Sequence, residues 1–296
     1  MPRRQSTPSS IIGLSLGETE TQAVELSTEG LALTLHAIAE WHGGATEDPA
    51  SVVQRLMSFI TANSVPSHRV AVTLGTSALF THVLPVPAGQ NDALLHKHAR
   101  WDIAQFFPDL PEAGFISDVH LLDERNNEGT TRALSVSIRR DVARAIQHAL
   151  EDQGLELHVL DGDHFSAEHY LTTRYRDGST GCLLLMGLKR DRMDMSILRD
   201  GKLVDYSAWT ECTPESCRAK IAESTDAYRQ IRKVLLYGSR ATPATIASLN
   251  SPAQADIEVL NPFAGMHLAP RNPLADHFLT MPHRFVAAVG AALREE

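Results

Sequence analysis

The sequence predicts an α/β protein of two lobes, because one motif occurs twice: a strand, a tight polar corner and a second strand. The first copy is IIGLSLGETETQAVEL at 11–26; the second is GCLLLMGL at 181–188 running through a polar corner into MSILRDGKLVDYSAW at 195–209. A third observation supports this. Stretches with the two-residue period of strands alternate with stretches of helical period along almost the whole chain.

Taken in order, strands are expected at 11–16, 21–26 and 31–38, a meander of antiparallel neighbours. Residues 50–63 place Val52, Val53, Leu56, Phe59 and Ile60 on one helical stripe, and 70–74 reads as a buried strand. A second block begins after Pro85 and Pro87, with a helix at 92–106, strands at 116–123 and 132–139, and a helix at 141–153. LELHVLD at 155–161 resumes strand character, a helix is expected at 166–175, and the polar RDGST at 176–180 marks the lobe boundary.

The second lobe opens with the strand 182–188 and the corner 189–194, and Arg199-Asp200-Gly201 fits a hairpin turn. A helix at 215–232, a strand at 234–237, a helix at 244–250 and a small-residue helix at 285–293 follow. The expected organisation is a disordered tail at 1–10, a first-lobe core at 11–84 and an inserted α/β subdomain at 85–140. The chain then returns to the first lobe through a connecting helix at 141–176, forms a shortened second lobe at 177–276, and ends in a helix at 277–296 packed on the first lobe.

Composition excludes several function classes. With 296 residues, 43% hydrophobic and 21% charged, the chain buries a substantial core, and a formal charge of -9 opposes general affinity for nucleic acid or anionic membranes. MPRRQSTPSS is followed by no long apolar segment and reads as a tail, not a signal peptide. CLLLMGL is too short to span a bilayer. Three cysteines, Cys182, Cys212 and Cys217, fit a reducing compartment. Cys212 and Cys217 lack the second pair or nearby histidine that a zinc site requires, so no metal site is expected there.

Two hairpins at the heads of two lobes, a late strand with a glycine turn, and a terminal Ala/Gly helix resemble the actin-like (ribonuclease H-like) fold, and within it the PilM family of type IV pilus assembly proteins. The family's first loop reads Asp-x-Gly-Ser-Ser-Ser-x-Lys-Ala-Val, which SLGETETQAVEL matches at Gly17, Ala23 and Val24. VAVTLGTSALFTHVLPVP at 70–87 resembles the family's strand and crossover into its insertion, and RWDIAQFFP at 100–108 its helix ending in Gln-Tyr-x-Pro. SILRDGKLV, VLLYGSRA, EVLNPFAGM and FVAAVGAAL follow in the family's order. The resemblance implies a small α/β insertion in the first lobe.

The resemblance also implies three nucleotide loops, and all three depart from the pattern. Ser15 stands where the family's loop has the aspartate that positions a hydrated cation; Glu18 adds negative charge beside the phosphate position, next to Gly17 and Thr19; Gln22 replaces the lysine. Leu185-Met186-Gly187 replaces the second Asp-x-Gly, and Gly238-Ser239-Arg240 replaces a Gly-Gly-Gly turn. Residues 207–233 are enough for one helix with its connections but not for the subdomain that usually follows. No catalytic residue, cofactor or metal is therefore expected: the chain reads as a pseudo-ATPase. The alternative is an ATP-binding or ATP-hydrolysing protein with magnesium, in which Glu18, Asp191 or Asp194 supplies the missing carboxylate.

Other constellations have simpler readings. Asp161, Asp163, His164, Glu168 and His169 have metal-ligand chemistry, yet a capping aspartate with solvated His164 and Glu168 requires no ligand. Gly75-Thr76-Ser77 only loosely resembles a nucleophile elbow. Leu94, Leu95 and Trp101 are assigned to a core face, Asn261-Pro262-Phe263 to a connection, and the terminal small residues to close packing against the first-lobe sheet. What the resemblance implies for function is a cytoplasmic scaffold, peripheral to the inner membrane through its partner, that binds the cytosolic tail of an inner-membrane pilus or secretion assembly protein. An actin-like polymer subunit is a third reading.

Overall fold

The computed structural model describes residues 9–30, 32–110, 114–122, 129–174, 181–190, 192–249, 255–269 and 275–294. Residues 1–8 of the expected tail, the RDGST turn and Asp191 lie outside the described residues. The chain divides into two compact units, one of residues 1–75, 146–173 and 261–296, the other of 76–145 and 174–260.

The elements in chain order are β1 (Ser9–Leu16), β2 (Glu20–Glu29), β3 (Ala32–His42), α1 (Pro49–Asn63), β4 (Arg69–Leu74), β5 (Phe80–Pro87), α2 (Asp92–Phe106), β6 (Phe115–Leu121), β7 (Thr130–Arg139), α3 (Arg140–Glu151) and β8 (Glu156–Gly162). They continue as α4 (Asp163–Arg174), β9 (Cys182–Leu188), β10 (Met193–Arg199), β11 (Lys202–Trp209), α5 (Pro214–Ala227), β12 (Ile231–Tyr237), α6 (Pro243–Leu249), β13 (Asp256–Val259), β14 (His267–Leu268), α7 (Ala275–Leu279) and α8 (Val286–Ala292).

The first unit is built on a sheet of order β14-β3-β2-β1-β4-β8. β1, β2 and β3 form the antiparallel meander that the alternation predicts, and β4 joins β1 in parallel. β2 is buried on both faces from Thr21 to Ser27, and its buried polar residues are bonded to neighbours, Thr21 to the Gly43 carbonyl, Gln22 to Glu40, Glu25 to Ser10 and Ser27 to His36. α1 buries Val52, Val53, Leu56 and Phe59, begins with Pro49 in its first turn and stops at Ser64 in a left-handed conformation. α8 is buried along its length against β1, β2 and β4. Glycine permits this: a Cβ on Gly13 would run into the carbonyl of Ala288, and one on Gly290 into that of Ser166.

The five-stranded sheet of the second unit has the order β11-β10-β9-β12-β13. Its β9–β10–β11 meander, with β12 parallel to β9 and β13 parallel to β12, repeats the connectivity of β1–β2–β3 with β4 and β8. The duplicated pattern in the sequence is thus a duplicated topology. One helix, α5, connects β11 to β12; it opens with a Thr213/Ser216 capping box and buries Cys217, Ile221 and Ser224.

A three-stranded antiparallel sheet, β5-β7-β6, completes this unit, with α2 laying Leu95, Ala99 and Ile103 against it. Leu84, Val86, Leu95 and Ala133 form its core. Sequence reading treated Pro85 and Pro87 as the end of a block, whereas the structure runs β5 through both. β5 is an edge strand paired only with β7, the one place in a sheet where a residue without an N–H is tolerated. Arg132 of β7 ties this sheet to the larger one, donating to Asp205 Oδ1 at 3.0 Å and to the Val204 carbonyl at 3.3 Å.

Other boundaries shift for local reasons. The helix expected at 166–175 starts at Asp163, and the helix expected to reach 232 stops at Ala227, because Ile231 already enters β12. β13 and β14 carry no sequence signal of their own. They are short strands made by pairing to β12 and β3.

Candidate functional site

In the first unit, the hairpin between β1 and β2 keeps the tight turn of a phosphate loop. Gly17 donates its N–H to the Glu20 carbonyl at 2.9 Å. Two of the turn's carbonyls are occupied from within the chain, Ala45 N–H donating to Gly17 O and Gly43 N–H to Thr19 O, both at 2.8 Å, while Thr21 Oγ1 donates to Gly43 O at 2.6 Å. The segment 43–45 lies so close over the hairpin that a Cβ on Gly44 would run into the Gly17 carbonyl. Ser15 is buried opposite Gln22 in the β1–β2 register, Glu18 is half-buried and Thr19 exposed.

Gln22, in the lysine position, donates to Glu40 Oε1 at 2.8 Å. Arg284 bridges Glu40, at 2.9 Å, and Glu20. Burial pushes the Glu40 carboxyl above the usual carboxylate range, against the opposing pull of Gln22 and Arg284. This strand face is filled by its own hydrogen-bonded charges.

In the second unit, Leu185 is fully buried in β9 and offers only hydrocarbon. Gly187 is retained for a packing reason, since a Cβ there would strike the Tyr237 ring. Gly238 adopts a φ of 99° beneath the Leu188 carbonyl. Arg240 donates its backbone N–H to Leu188 O at 3.0 Å and its Nη1 to Arg190 O at 3.0 Å, leaving Ser239 half-buried between them. The 238–240 turn is folded back onto the β9–β10 corner.

The strongest electrostatic feature of this unit is Asp194, opposite Gly187 in the β9–β10 register and wholly buried. Its Oδ2 accepts from Thr76 Oγ1 and Lys189 Nζ, each at 2.7 Å; its Oδ1 accepts from Arg192 Nε and the Tyr206 hydroxyl, each at 3.0 Å. Burial and then the adjacent carboxylate push the Tyr206 hydroxyl well above its ordinary value. Burial opposes the Arg192 guanidinium, but Asp194 outweighs it and holds the charge. Sequence reading named Asp194 only as a substitute cation ligand. The visible signal for its actual environment was the spacing Lys189-x-x-Arg192-x-Asp194 across a tight corner.

The remaining candidates separate in the same way. His164 and Glu168 are buried, not solvated as expected, with His164 Nε2 3.7 Å from Glu168 Oε1. α4 and α8 approach closely where Ser166 meets Gly290. Asp161, just before α4, accepts from Gly162 N–H at 2.8 Å and Ser166 Oγ at 2.7 Å, and pairs with Arg294. Among the described residues no grouping of three or more His, Cys, Asp or Glu is placed to hold a metal. Trp101, assigned to a core face, is 65% exposed, and Leu94 is exposed with it. The buried stripe of α2 is Leu95, Ala99 and Ile103, at four-residue spacing, and Trp101 falls between its rows. Cys182, Cys212 and Cys217 are buried and in no disulfide. Thr76 is one of the donors to Asp194 and no nucleophile elbow.

The duplicated meander with its parallel following strands is the actin-like ATPase fold. The chain is similar, at 17% identity and a TM-score of 0.74, to a chain of a PilM-PilN type IV pilus biogenesis complex, covering 97% of this chain and 99% of that one. A Bacteroides thetaiotaomicron protein with an actin-like ATPase fold and unknown function matches at 10% identity and TM-score 0.55, over 95% and 99% of the two chains. The cytoplasmic domain of EpsL, an inner membrane component of the type II secretion system of Vibrio cholerae, matches at 12% identity and TM-score 0.52, over 97% and 96%. No family model and no curated protein matches the sequence.

Proposed function

We propose that this chain is an actin-like scaffold that has lost nucleotide chemistry and binds the cytosolic tail of an inner-membrane protein of a type IV pilus or related secretion platform. The observation that carries the reading is the saturation of Asp194. A magnesium ion needs carboxylate oxygens with lone pairs to give, and this carboxylate, beside the second loop, already accepts from Thr76, Lys189, Arg192 and Tyr206. The first loop supports the same reading, because the Gly17 N–H that could donate to a phosphate oxygen is taken by the Glu20 carbonyl.

The pilus and secretion context is supported by likeness to a chain of the PilM-PilN complex and to the EpsL cytoplasmic domain. Among the described residues no helix is long and apolar enough to cross a membrane, so in this reading the protein meets the inner membrane through its partner and otherwise resides in the cytoplasm. Two measurements test the proposal together. Immobilised chain is exposed to synthetic cytosolic tails of the single-span membrane proteins encoded beside it, and calorimetry is run with ATP and magnesium. The expected result is capture of one tail and no nucleotide heat. Tight magnesium-dependent ATP binding, or failure to capture any tail, overturns it.

A further inference from the structure

The capping box at the head of α5 brings two sulfurs together. Thr213 is the N-cap: its Oγ1 accepts from Ser216 N–H at 3.1 Å, while Ser216 Oγ accepts from Thr213 N–H at 2.9 Å. Cys212 is therefore the residue just before the cap, and Cys217 is the fourth residue of the helix, its N–H donating to the Thr213 carbonyl at 2.9 Å. Side chains at those two positions meet across a helix start, where a pair of hydrocarbon groups ordinarily packs as a staple. Here both are cysteine, both lie in the core of the second unit, and the Cys217 S–H donates to the Cys212 sulfur.

The two thiols are unequal. Cys212 is 7% exposed and Cys217 1%, so the outer sulfur is the one a small solute meets. The hydrogen bond from Cys217, then the Arg240 guanidinium and the Lys189 backbone, hold the Cys212 thiol below its ordinary value, against burial and the Asp194 charge. Cys217 is pushed the other way, by the hydrogen bond it gives, by burial and by the charge on Cys212. A thiolate beside a cation at a helix start is a nucleophile, and a second thiol in contact with it is placed to resolve its oxidised form. Cys182, in β9, stands outside this cap.

We propose that Cys212 and Cys217 form a redox site, in which a peroxide oxidises Cys212 and Cys217 then closes a disulfide across the start of α5. In the first step the Cys212 thiolate attacks one peroxide oxygen: an S–O bond forms, the O–O bond breaks, the sulfur gives two electrons to the peroxide, and hydroxide leaves. The sulfenic acid is uncharged, so the negative charge that kept Cys217 protonated is gone. In the second step the Cys217 sulfur attacks the Cys212 sulfur: an S–S bond forms, the S–OH bond breaks, and the thiol proton leaves with the hydroxyl as water. A dithiol reductant reverses the bridge by exchange. The bridge is a covalent clasp on the helix that connects β11 to β12, beside Arg240 of the 238–240 turn. It is independent of the scaffold reading, since only these residues enter it.

The test treats the full chain, reduced and freed of reductant, with hydrogen peroxide, quenches it with N-ethylmaleimide and digests it with trypsin. Cys212 and Cys217 fall together in the peptide 203–218, and Cys182 in a different one. The expected product is a 203–218 peptide lighter by two hydrogen atoms and free of maleimide, formed about tenfold or more faster than Cys182 is oxidised. Dithiothreitol should return both thiols, and the rate should level off with rising pH below 9.0, the ordinary thiol value. Cys217→Ser is expected to stop at a Cys212 sulfenic acid that dimedone traps, and Cys212→Ser to leave Cys217 unoxidised over the same interval. The measurement on the parent chain stands even where a variant misfolds. A 203–218 peptide that keeps both maleimide-reactive thiols overturns the proposal, as does a bridge from either cysteine to Cys182 or oxidation of Cys217 at the parent's rate in the Cys212→Ser chain.

Discussion

Lys189 Nζ lies 2.7 Å from Asp194 Oδ2 on opposite sides of the β9–β10 corner, with the carboxylate fully buried and the lysine 17% exposed. Asp194 faces Gly187 across the β9–β10 pair, and the corner is held by an internal ion cluster with Arg192 as its second cation.

Asp194→Ala is therefore expected to destabilise the chain by about 3–5 kcal/mol, because it leaves the half-buried Lys189 and Arg192 without their shared counter-charge. Arg132→Ala removes an ion pair to Asp205 in which the arginine is 46% exposed, and is expected to cost under about 1 kcal/mol. Urea denaturation of both variants checks the contrast. Equal losses would show that Asp194 is not the structural anion described.

Gly13→Ala places a methyl against the Ala288 carbonyl, backbone against which no side-chain rotation gives relief. A loss of about 1–3 kcal/mol is expected, appearing as a lower urea midpoint with unchanged slope. An unaffected midpoint would mean that α8 is not seated on β1.

His283 is buried beside Arg284, and burial first, then the guanidinium, holds its imidazolium pKa below the ordinary 6.5. The unfolded chain therefore binds this proton more readily than the folded one. The stability carried by the neutral ring is complete above pH 6.5 and declines as pH falls from there through the lowered folded value. Chevron or equilibrium unfolding from about pH 8 to 5 should show this decline, and His283→Gln should flatten it.

Trp101→Ser is expected to change stability by less than about 0.5 kcal/mol, since the ring is on the surface of α2. In the parent, iodide should quench a red-shifted tryptophan component that the variant lacks. A blue-shifted, protected Trp101 would return it to the core.

The fold was legible because its determinants are local and repeated. The strand-corner-strand at 11–26 and its counterpart at 181–209 set the two meanders, Pro49 and the Val52–Phe59 stripe set α1, and the small residues of α8 declared a close approach before its partner was known. β5 escaped because Pro85 and Pro87 carry a breaker signal that only edge position neutralises. His164, Glu168 and Trp101 were misjudged for one reason: helical spacing says which residues share a face but not what the neighbouring element covers.

The sequence by itself determined the duplicated sheets, the uncharged side chains of Ser15 and Leu185 in their hairpins, and the single helix that connects β11 to β12. Tertiary structure alone decided that Asp194 is saturated and that residues 43–45 close over the first hairpin. Those facts depend on hydrogen bonds between residues far apart in sequence, Thr76 with Asp194 among them, and no periodicity along the chain records which distant donor a buried carboxylate will meet.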